Sequence, residues 1–292
     1  MIDAPYPQAG EGDSRHSASG VRGVSDGFPL SPSPRSASLS RPLPVGARDL
    51  LAAISDTPEL DLRLLREAAR DEAQLSEFIA RRLNHEPVAY ITGTRGFWTI
   101  DLDVTPAVLI PRPDSETLIE AAVAYFGDAA PKRILDLGTG SGALLLAALD
   151  EWRNATGVGV DASEAALAVA RGNAERIAPG RAEMRIGDWT DGIDEVFDLV
   201  LCNPPYVETD ADLARQVRDW EPARALFAGA DGLDDYKRLA PQLARVTGGI
   251  ACIEIGYTQA LAVTALLENE GFAVICRKDY GGRDRCLVAK HK

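Results

Sequence analysis

Apolar residues between Ala47 and Leu83 recur every three or four positions, as Leu50, Leu51 and Ile54, then Leu62, Leu65 and Ala69, then Leu75, Phe78, Ile79 and Leu83. This spacing gathers them on one face of successive amphipathic helices. Thr57-Pro58 and Ser76 carry helix-start chemistry near the breaks. The pattern predicts a small helical domain over residues 46–87. From Val88 to Leu109 it changes to short extended runs, with alternation at Ile100, Leu102 and Val104 and punctuation at Gly93, Gly96 and Thr99, so a β-hairpin linker is predicted over residues 88–109. Phe97 lies in that hairpin, where the pattern alone makes it a core aromatic as readily as a site residue.

Beyond Ile110 the pattern alternates between strands and helices through residues 110–292. A helix over Asp114–Phe126 is followed by Ile134–Leu137, Ala143–Asp150, Gly157–Val160, Glu164–Ala174, Met184–Ile186 and Leu199–Cys202. Then come Asp235–Leu243, Ile250–Glu254, Thr258–Glu270, Phe272–Arg277 and Cys286–Ala289. Such alternation predicts an α/β domain with right-handed parallel crossovers. Residues 1–45 behave differently. They are rich in Ser, Pro, Gly and Arg without a hydrophobic period, and are predicted to be a disordered extension. Asp3, Glu11, Asp13 and Asp26, with prolines and glycines throughout, argue against an amphipathic targeting presequence, leaving an upstream start-site artefact or a dispensable tail as the expectation.

Candidate chemistry sits at two strand ends. The apolar run Phe197–Cys202 leads into Asn203-Pro204-Pro205-Tyr206, where a parallel strand delivers residues to the ligand crevice of an open sheet. Asn203 offers a side-chain carbonyl, and Pro204 a free backbone carbonyl in a turn stiffened by two prolines. Together they can accept both hydrogens of a planar NH2 group. The strand Ile134–Leu137 leads into Gly138-Thr139-Gly140-Ser141-Gly142 and a helix, a nucleotide-binding first crossover. Gly138, Gly140 and Ala143 also satisfy the loose dinucleotide pattern, and Asp161, at the end of the next strand, binds ribose hydroxyls in either cofactor class. Asp136, directly before the glycines, disfavours a pyrophosphate and suits a sulfonium with an amino-acid tail. Asp188 and Trp189 follow the third strand and supply an acid and an aromatic face for adenine. Each residue has a plainer reading as well: a tight turn for the glycines, helix capping for Asp136 and Asp161, packing for Trp189, and a structural ion pair for Arg112 with Glu116.

In this order, the stations resemble those of the class I S-adenosylmethionine methyltransferases with an Asn-Pro-Pro-Tyr motif. More narrowly the chain resembles the release factor glutamine N5-methyltransferases, the HemK/PrmC family. The likeness runs from Glu86–Gly93 with Phe97, through Val108–Pro113 with Glu116, Ile134–Gly142, Asp161–Asn173 and Asn203–Tyr206. It continues in Glu221-Pro222, Asp231-Gly232-Leu233, Ile253–Gly256 with Gln259, and Lys278–Arg285. Two departures are local: Asp114-Ser115-Glu116 stands where the family has glutamate-threonine-glutamate, and Trp98-Thr99 replaces an aromatic-glycine pair.

The resemblance implies a Rossmann-like, mostly parallel seven-stranded sheet with an antiparallel edge hairpin, plus a substrate-engaging N-terminal helical domain. It implies S-adenosylmethionine held by Asp136, Gly138, Thr139, Gly140, Ser141, Gly142, Asp161, Asp188, Trp189 and Asn203. It implies catalysis and substrate binding by Asn203, Pro204, Pro205 and Tyr206, with Phe97 as a second apolar wall. The implied reaction is methylation of the glutamine N5 in the Gly-Gly-Gln motif of class I peptide chain release factors. The same chemistry could serve a ribosomal-protein glutamine. DNA adenine N6 would require base flipping and a basic recognition region that the chain does not display.

Composition narrows the partners. With 292 residues, 46% of them hydrophobic, the chain can bury a full core and a second small unit. Its formal net charge of −13 disfavours a phosphate backbone; it fits a basic protein partner, and equally a role in solubility alone. No apolar run reaches the roughly 20 residues of a membrane span. Cys202, Cys252, Cys276 and Cys286 lack metal spacing and are predicted to be reduced core thiols, and His16, His85 and His291 are scattered. The expectation is a cytoplasmic, monomeric enzyme with no metal, no direct nucleic acid contact and no membrane association.

Overall fold

The computed structural model describes residues 46–292; the extension predicted over residues 1–45 lies outside them. Three helices come first, α1 (Ala47–Ala52), α2 (Pro58–Ala68) and α3 (Glu72–Leu83). Their apolar stripes meet in a small core of Leu51, Leu62, Leu65, Leu75, Phe78 and Ile79. Asp61 and Arg82 pair at 2.7 Å beneath this surface. Asp71, not Ser76, starts α3: its side chain accepts from Gln74 N at 2.9 Å. Ser76 sits inside the helix and donates back to the Glu72 carbonyl at 2.8 Å, the alternative that a mid-helix serine takes.

The linker is extended only in part. Val88–Thr92 form a helix, α4, instead of the predicted extended run, and β1 (Thr94–Phe97) and β2 (Ile100–Asp103) then make the antiparallel hairpin. The helix wins because its faces answer two cores: Ile91 packs on the helical bundle, while Ala89 and Tyr90 join the core of the larger domain. Tyr90 secures this by donating its hydroxyl to the Val108 carbonyl at 2.6 Å.

The remaining chain runs α5 (Glu116–Phe126), β3 (Arg133–Leu137), α6 (Ala143–Glu151), β4 (Thr156–Asp161), α7 (Glu164–Ile177), β5 (Ala182–Ile186) and β6 (Phe197–Cys202). It continues with α8 (Arg215–Arg218), α9 (Asp234–Val246), β7 (Thr247–Glu254), α10 (Ala260–Asn269), β8 (Phe272–Lys278) and β9 (Asp284–His291). A single 3-10 turn, Pro113–Ser115, replaces the first residues of the helix predicted from Asp114. The seven-stranded sheet has the order β5-β4-β3-β6-β7-β9-β8. Only β9 is antiparallel, inserted between β7 and β8.

Period-two alternation along the strands feeds two separate cores. Ile134, Leu199, Leu201, Ile250 and Cys252 face α5 and α6 on one side. Leu135, Val200, Ala251 and Ile253 face α9 and α10 on the other. Cys202, Cys252 and Cys286 are buried free thiols as predicted, whereas Cys276 is exposed on the edge strand β8. The order in which strands are added to the sheet reverses between β3 and β6, which run parallel and pair with Leu137 opposite Cys202. Both chemically promising loops leave the sheet at that switch point, where open α/β sheets bind ligands.

Candidate active site

The glycine loop turns on backbone that other residues resist. Gly138 has φ 72°, and a Cβ there would lie 3.5 Å from the Trp189 ring. Gly142, at φ 85°, is the N-cap of α6, where a Cβ would press to 2.9 Å from Leu146. Asp136 ties the loop together: its Oδ2 accepts from Thr139 Oγ1 at 2.6 Å and from Leu145 N, in the first turn of α6, at 3.2 Å. The carboxyl is 1% exposed and its Oδ1 has no hydrogen-bond partner. Burial pushes its pKa up to about 7, against the pull of Thr139 and Leu145.

Asp161 braces the same loop, accepting from Gly140 N at 3.0 Å and from Ser163 N at 2.8 Å. It does not cap α7; Ser163 does, through Ala166 N at 3.3 Å. Asp188 is held by Arg238 at 2.6 Å. Trp189 takes left-handed backbone, φ 56°, unusual for a bulky residue, and its buried Nε1 has no partner.

Across the switch point, Asn203 donates through Nδ2 to Ser115 Oγ at 3.1 Å. Among the described residues nothing donates to its Oδ1 or to the Pro204 carbonyl. Tyr206 donates its hydroxyl to Glu254 Oε1 at 3.2 Å, and its carbonyl accepts from Gln259 at 3.1 Å. Glu254 is 1% exposed, with burial raising its pKa to about 7 and burial also pushing the Tyr206 phenol up.

Both strand ends open into one cleft. It brings together Asp136, Gly138, Thr139, Gly140, Ser141 and Asp161 with Asp188, Trp189, Asn203, Pro205 and Phe97. Gly142, Pro204 and Tyr206 lie outside its wall: Gly142 serves the helix cap, Pro204 is buried, and Tyr206 turns its ring toward Gly256 and Glu254. Phe97 is both core and wall, 2% exposed and lining the cleft.

The expected Arg112–Glu116 ion pair does not form. Arg112 pairs with the buried Glu221, which also accepts from Ile110 N at 3.1 Å, while Glu116 accepts from Trp98 N at 2.9 Å. Glu221 prevails because it is buried where it also satisfies the Ile110 N–H, a place where only a paired carboxylate is stable. Sequence reasoning gave no role to Ser115 or Glu254. The signal for Glu254 was available, since a carboxylate closing the wholly apolar run Ile250–Ile253 must find partners indoors.

The residues present fit S-adenosylmethionine. The orphaned, buried Oδ1 of Asp136 calls for a cationic or hydrogen-donating ligand group, and the Gly138 cradle leaves room for close backbone approach. A methyltransferase from Pyrococcus furiosus shares the fold, with TM-score 0.50 at 17% identity over 74% of this chain and 98% of that one. So does the hMettl16 catalytic domain, crystallised with the MAT2A 3'UTR hairpin 6, with TM-score 0.53 at 16% identity over 74% and 82%. A methyltransferase-domain model matches residues 129–250. The sheet order, the glycine cradle and the matched domain give the molecule the fold of the class I S-adenosylmethionine-dependent methyltransferases.

The helical segment narrows this, because the PrmC N-terminal domain model matches residues 44–93. Release factor glutamine methyltransferase of Caulobacter vibrioides is 41% identical over 258 residues, 80% of this chain and 89% of that protein. Its counterpart in Rhodospirillum rubrum is 40% identical over 279 residues, 87% and 85%. The chain belongs to the release factor glutamine methyltransferase family.

Proposed function

We propose that this enzyme methylates the side-chain amide nitrogen, N5, of the glutamine in the Gly-Gly-Gln motif of class I peptide chain release factors. The observation that carries this reading is the state of Asn203: Nδ2 is tied to Ser115 while Oδ1 is left without a partner at the cleft. Beside it, the Pro204 carbonyl receives no hydrogen bond. Pro204 itself lies outside the cleft wall, but its carbonyl, in the same stiff turn, would be the second acceptor for the two N–H bonds of a primary amide.

When bound, S-adenosylmethionine supplies an electrophilic methyl group. Asp136, Gly138, Thr139, Gly140, Ser141 and Asp161 would hold it, with Asp188 and Trp189 at the adenine end. The chain's task is to activate a weak nucleophile, because an amide nitrogen delocalises its lone pair into the carbonyl. Asn203 Oδ1 and the Pro204 carbonyl orient the nitrogen and stabilise positive charge developing on it, the kind of preorganised electrostatic contribution that dominates many active sites. Fixing nitrogen and methyl in line supplies much of the rest. Phe97 and Pro205 form apolar walls that exclude water. The proton leaves after transfer, so no dedicated base is required. Tyr206 acts from behind the turn, anchoring it to Glu254.

In this reading the three N-terminal helices engage the protein substrate, and the formal charge of −13 favours association with a basic partner. Among the described residues no helix is long and apolar enough to cross a membrane. The proposed setting is the cytoplasm, with the enzyme acting as a monomer. The test is transfer of a tritiated methyl group from S-adenosylmethionine to purified class I release factor, ribosomal proteins and DNA in parallel. Label on the release factor alone is expected, and label on ribosomal protein alone would refute the proposed substrate.

A further inference from the structure

The hairpin β1–β2 forms a two-stranded sheet of its own, apart from the seven-stranded one. It delivers Phe97 to the cleft, so its placement sets part of the cleft wall. Its turn is held at α5 and α6, where Glu116 accepts from Trp98 N at 2.9 Å and Asp150 accepts from Thr99 Oγ1 at 2.6 Å. At the opposite end the hold comes from α7, through Asn173. Asn173 Oδ1 accepts from Asp103 N at 2.8 Å, and its Nδ2 donates to the Asp103 carbonyl at 3.0 Å. Asp103 ends β2 opposite Thr94 of β1, so the amide supplies, on the free edge of β2, the two bonds that a third strand would make there.

The same side chain reaches the glycine loop. Its Nδ2 also donates to the Ser141 carbonyl at 2.9 Å, and Arg176 completes the set by donating to Oδ1 at 3.0 Å. Both hydrogens and both acceptor positions of the amide are then in use. Asn173 is 0% exposed, and the rest of the buried face of α7 is Ala166, Leu167, Ala170 and Ala174. Asparagine is a weak helix former, and a buried amide is tolerated only when it is hydrogen-bonded, so packing alone would be served better by an apolar residue. The small neighbours let the loop close on the helix: a Cβ on Gly142 would lie 3.7 Å from Ala170. Ser141 lines the cleft and Asn173 does not, so Asn173 acts on a ligand only through Ser141 and Asp103.

We propose that Asn173 is a positioning residue that fixes the glycine loop and the Phe97 hairpin relative to one another, so that both walls of the cleft are in place before either ligand arrives. That the hairpin wall serves the substrate rests on the amide-methylation reading above; the tie between the two walls does not. A wall already in place adds no ordering entropy to binding. Without the amide, the Ser141 carbonyl and both main-chain groups of Asp103 lose this partner, and each ligand must order its own wall as it binds. One substitution that touches neither ligand should therefore weaken both.

The test compares full-length wild type with Asn173→Ala by amide hydrogen exchange at Asp103 in the free enzyme, by calorimetric Kd for S-adenosylhomocysteine, and by steady-state kinetics on class I release factor. The Asp103 N–H should exchange slowly in wild type and about tenfold faster in the variant, the scale of one net hydrogen bond. The Val104 N–H, bonded to the Gly93 carbonyl at 3.0 Å, should stay protected in both and report that the hairpin persists. In Asn173→Ala the S-adenosylhomocysteine Kd and the KM for release factor should each rise about three- to tenfold, with kcat per folded enzyme within about threefold, as when binding is lost equally from ground and transition states. A merely less stable enzyme would lose active concentration with Kd and KM at wild-type values, and that result overturns the proposal. A change in only one of the two constants overturns it as well. So does fast exchange at Asp103 in wild type, a measurement that stands even if the variant fails to fold. Failure of wild type to methylate release factor would instead remove the substrate, and Asp103 exchange with S-adenosylhomocysteine affinity, which need no substrate, would then decide the tie.

Discussion

At one end of the cleft, the glycine loop is tied by partners 3, 9 and 21 positions away: Thr139 and Leu145 on Asp136, and Gly140 on Asp161. At the other end, Asn203 and Tyr206 depend on partners 88 and 48 positions away. The first end uses backbone amides and one buried carboxylate close in sequence. The second uses side chains that meet only when α5, β6 and β7 have assembled. Cofactor binding and methyl transfer should therefore be separable by mutation, since damage to one set of partners leaves the other set in place.

The largest expected effect is on transfer. Asn203→Ala should reduce kcat about 100- to 1000-fold, or about 3–4 kcal/mol, the usual cost of losing one preorganised polar contact. Titration calorimetry should find cofactor Kd within about threefold of wild type. A parallel loss of cofactor affinity would collapse the distinction between the two ends.

The carboxyl groups sharpen the comparison through pH. Both Asp136 and Glu254 have folded-state values raised to about 7, mainly by burial. A carboxyl raised in this way favours the fold fully below its unfolded value, and that contribution fades as pH rises through about 7. Above pH 7 each buried charge then costs on the order of 2–4 kcal/mol relative to acid conditions. Thermal unfolding of the cofactor-free enzyme should show wild type losing stability between pH 5 and 8, and Asp136→Asn and Glu254→Gln each losing less. Parallel pH profiles for all three would mean that neither group is raised.

Smaller effects belong to the cofactor end. Gly138→Ala places a side chain on left-handed backbone at a cost of about 1–2 kcal/mol, so cofactor affinity should fall about tenfold while kcat at saturation stays near wild type. Trp189→Phe removes an indole N–H that has no partner, so stability should change by less than about 1 kcal/mol and cofactor Kd by a few-fold. Calorimetry and thermal unfolding check both.

The same contrast explains what could be read from the chain. Period-two strands, the glycine loop and Asp161 announced themselves because their partners are near neighbours, whereas the pairing of β3 with β6, which brings Asn203 beside Gly138, joins strands distant in the chain and emerges only in the fold. Helix α4 was misread as extended because five residues are too few to display a period, and its two-sided burial is a tertiary matter. Ser76 carried cap chemistry but spent it on the Glu72 carbonyl. The pairing of Arg112 with Glu221 instead of the nearby Glu116 spans 109 positions, which no local rule reaches. Ser115 was hidden for the same reason, and Tyr206 was expected on the cleft wall because nothing local pointed it at Glu254.

The most direct test is mass spectrometry of tryptic peptides from class I release factor incubated with S-adenosylmethionine and either the wild-type enzyme or Asn203→Ala. The account predicts one added methyl on the Gly-Gly-Gln glutamine side chain with wild type and almost none with the variant. A methyl on another residue, or equal modification by both enzymes, would contradict it.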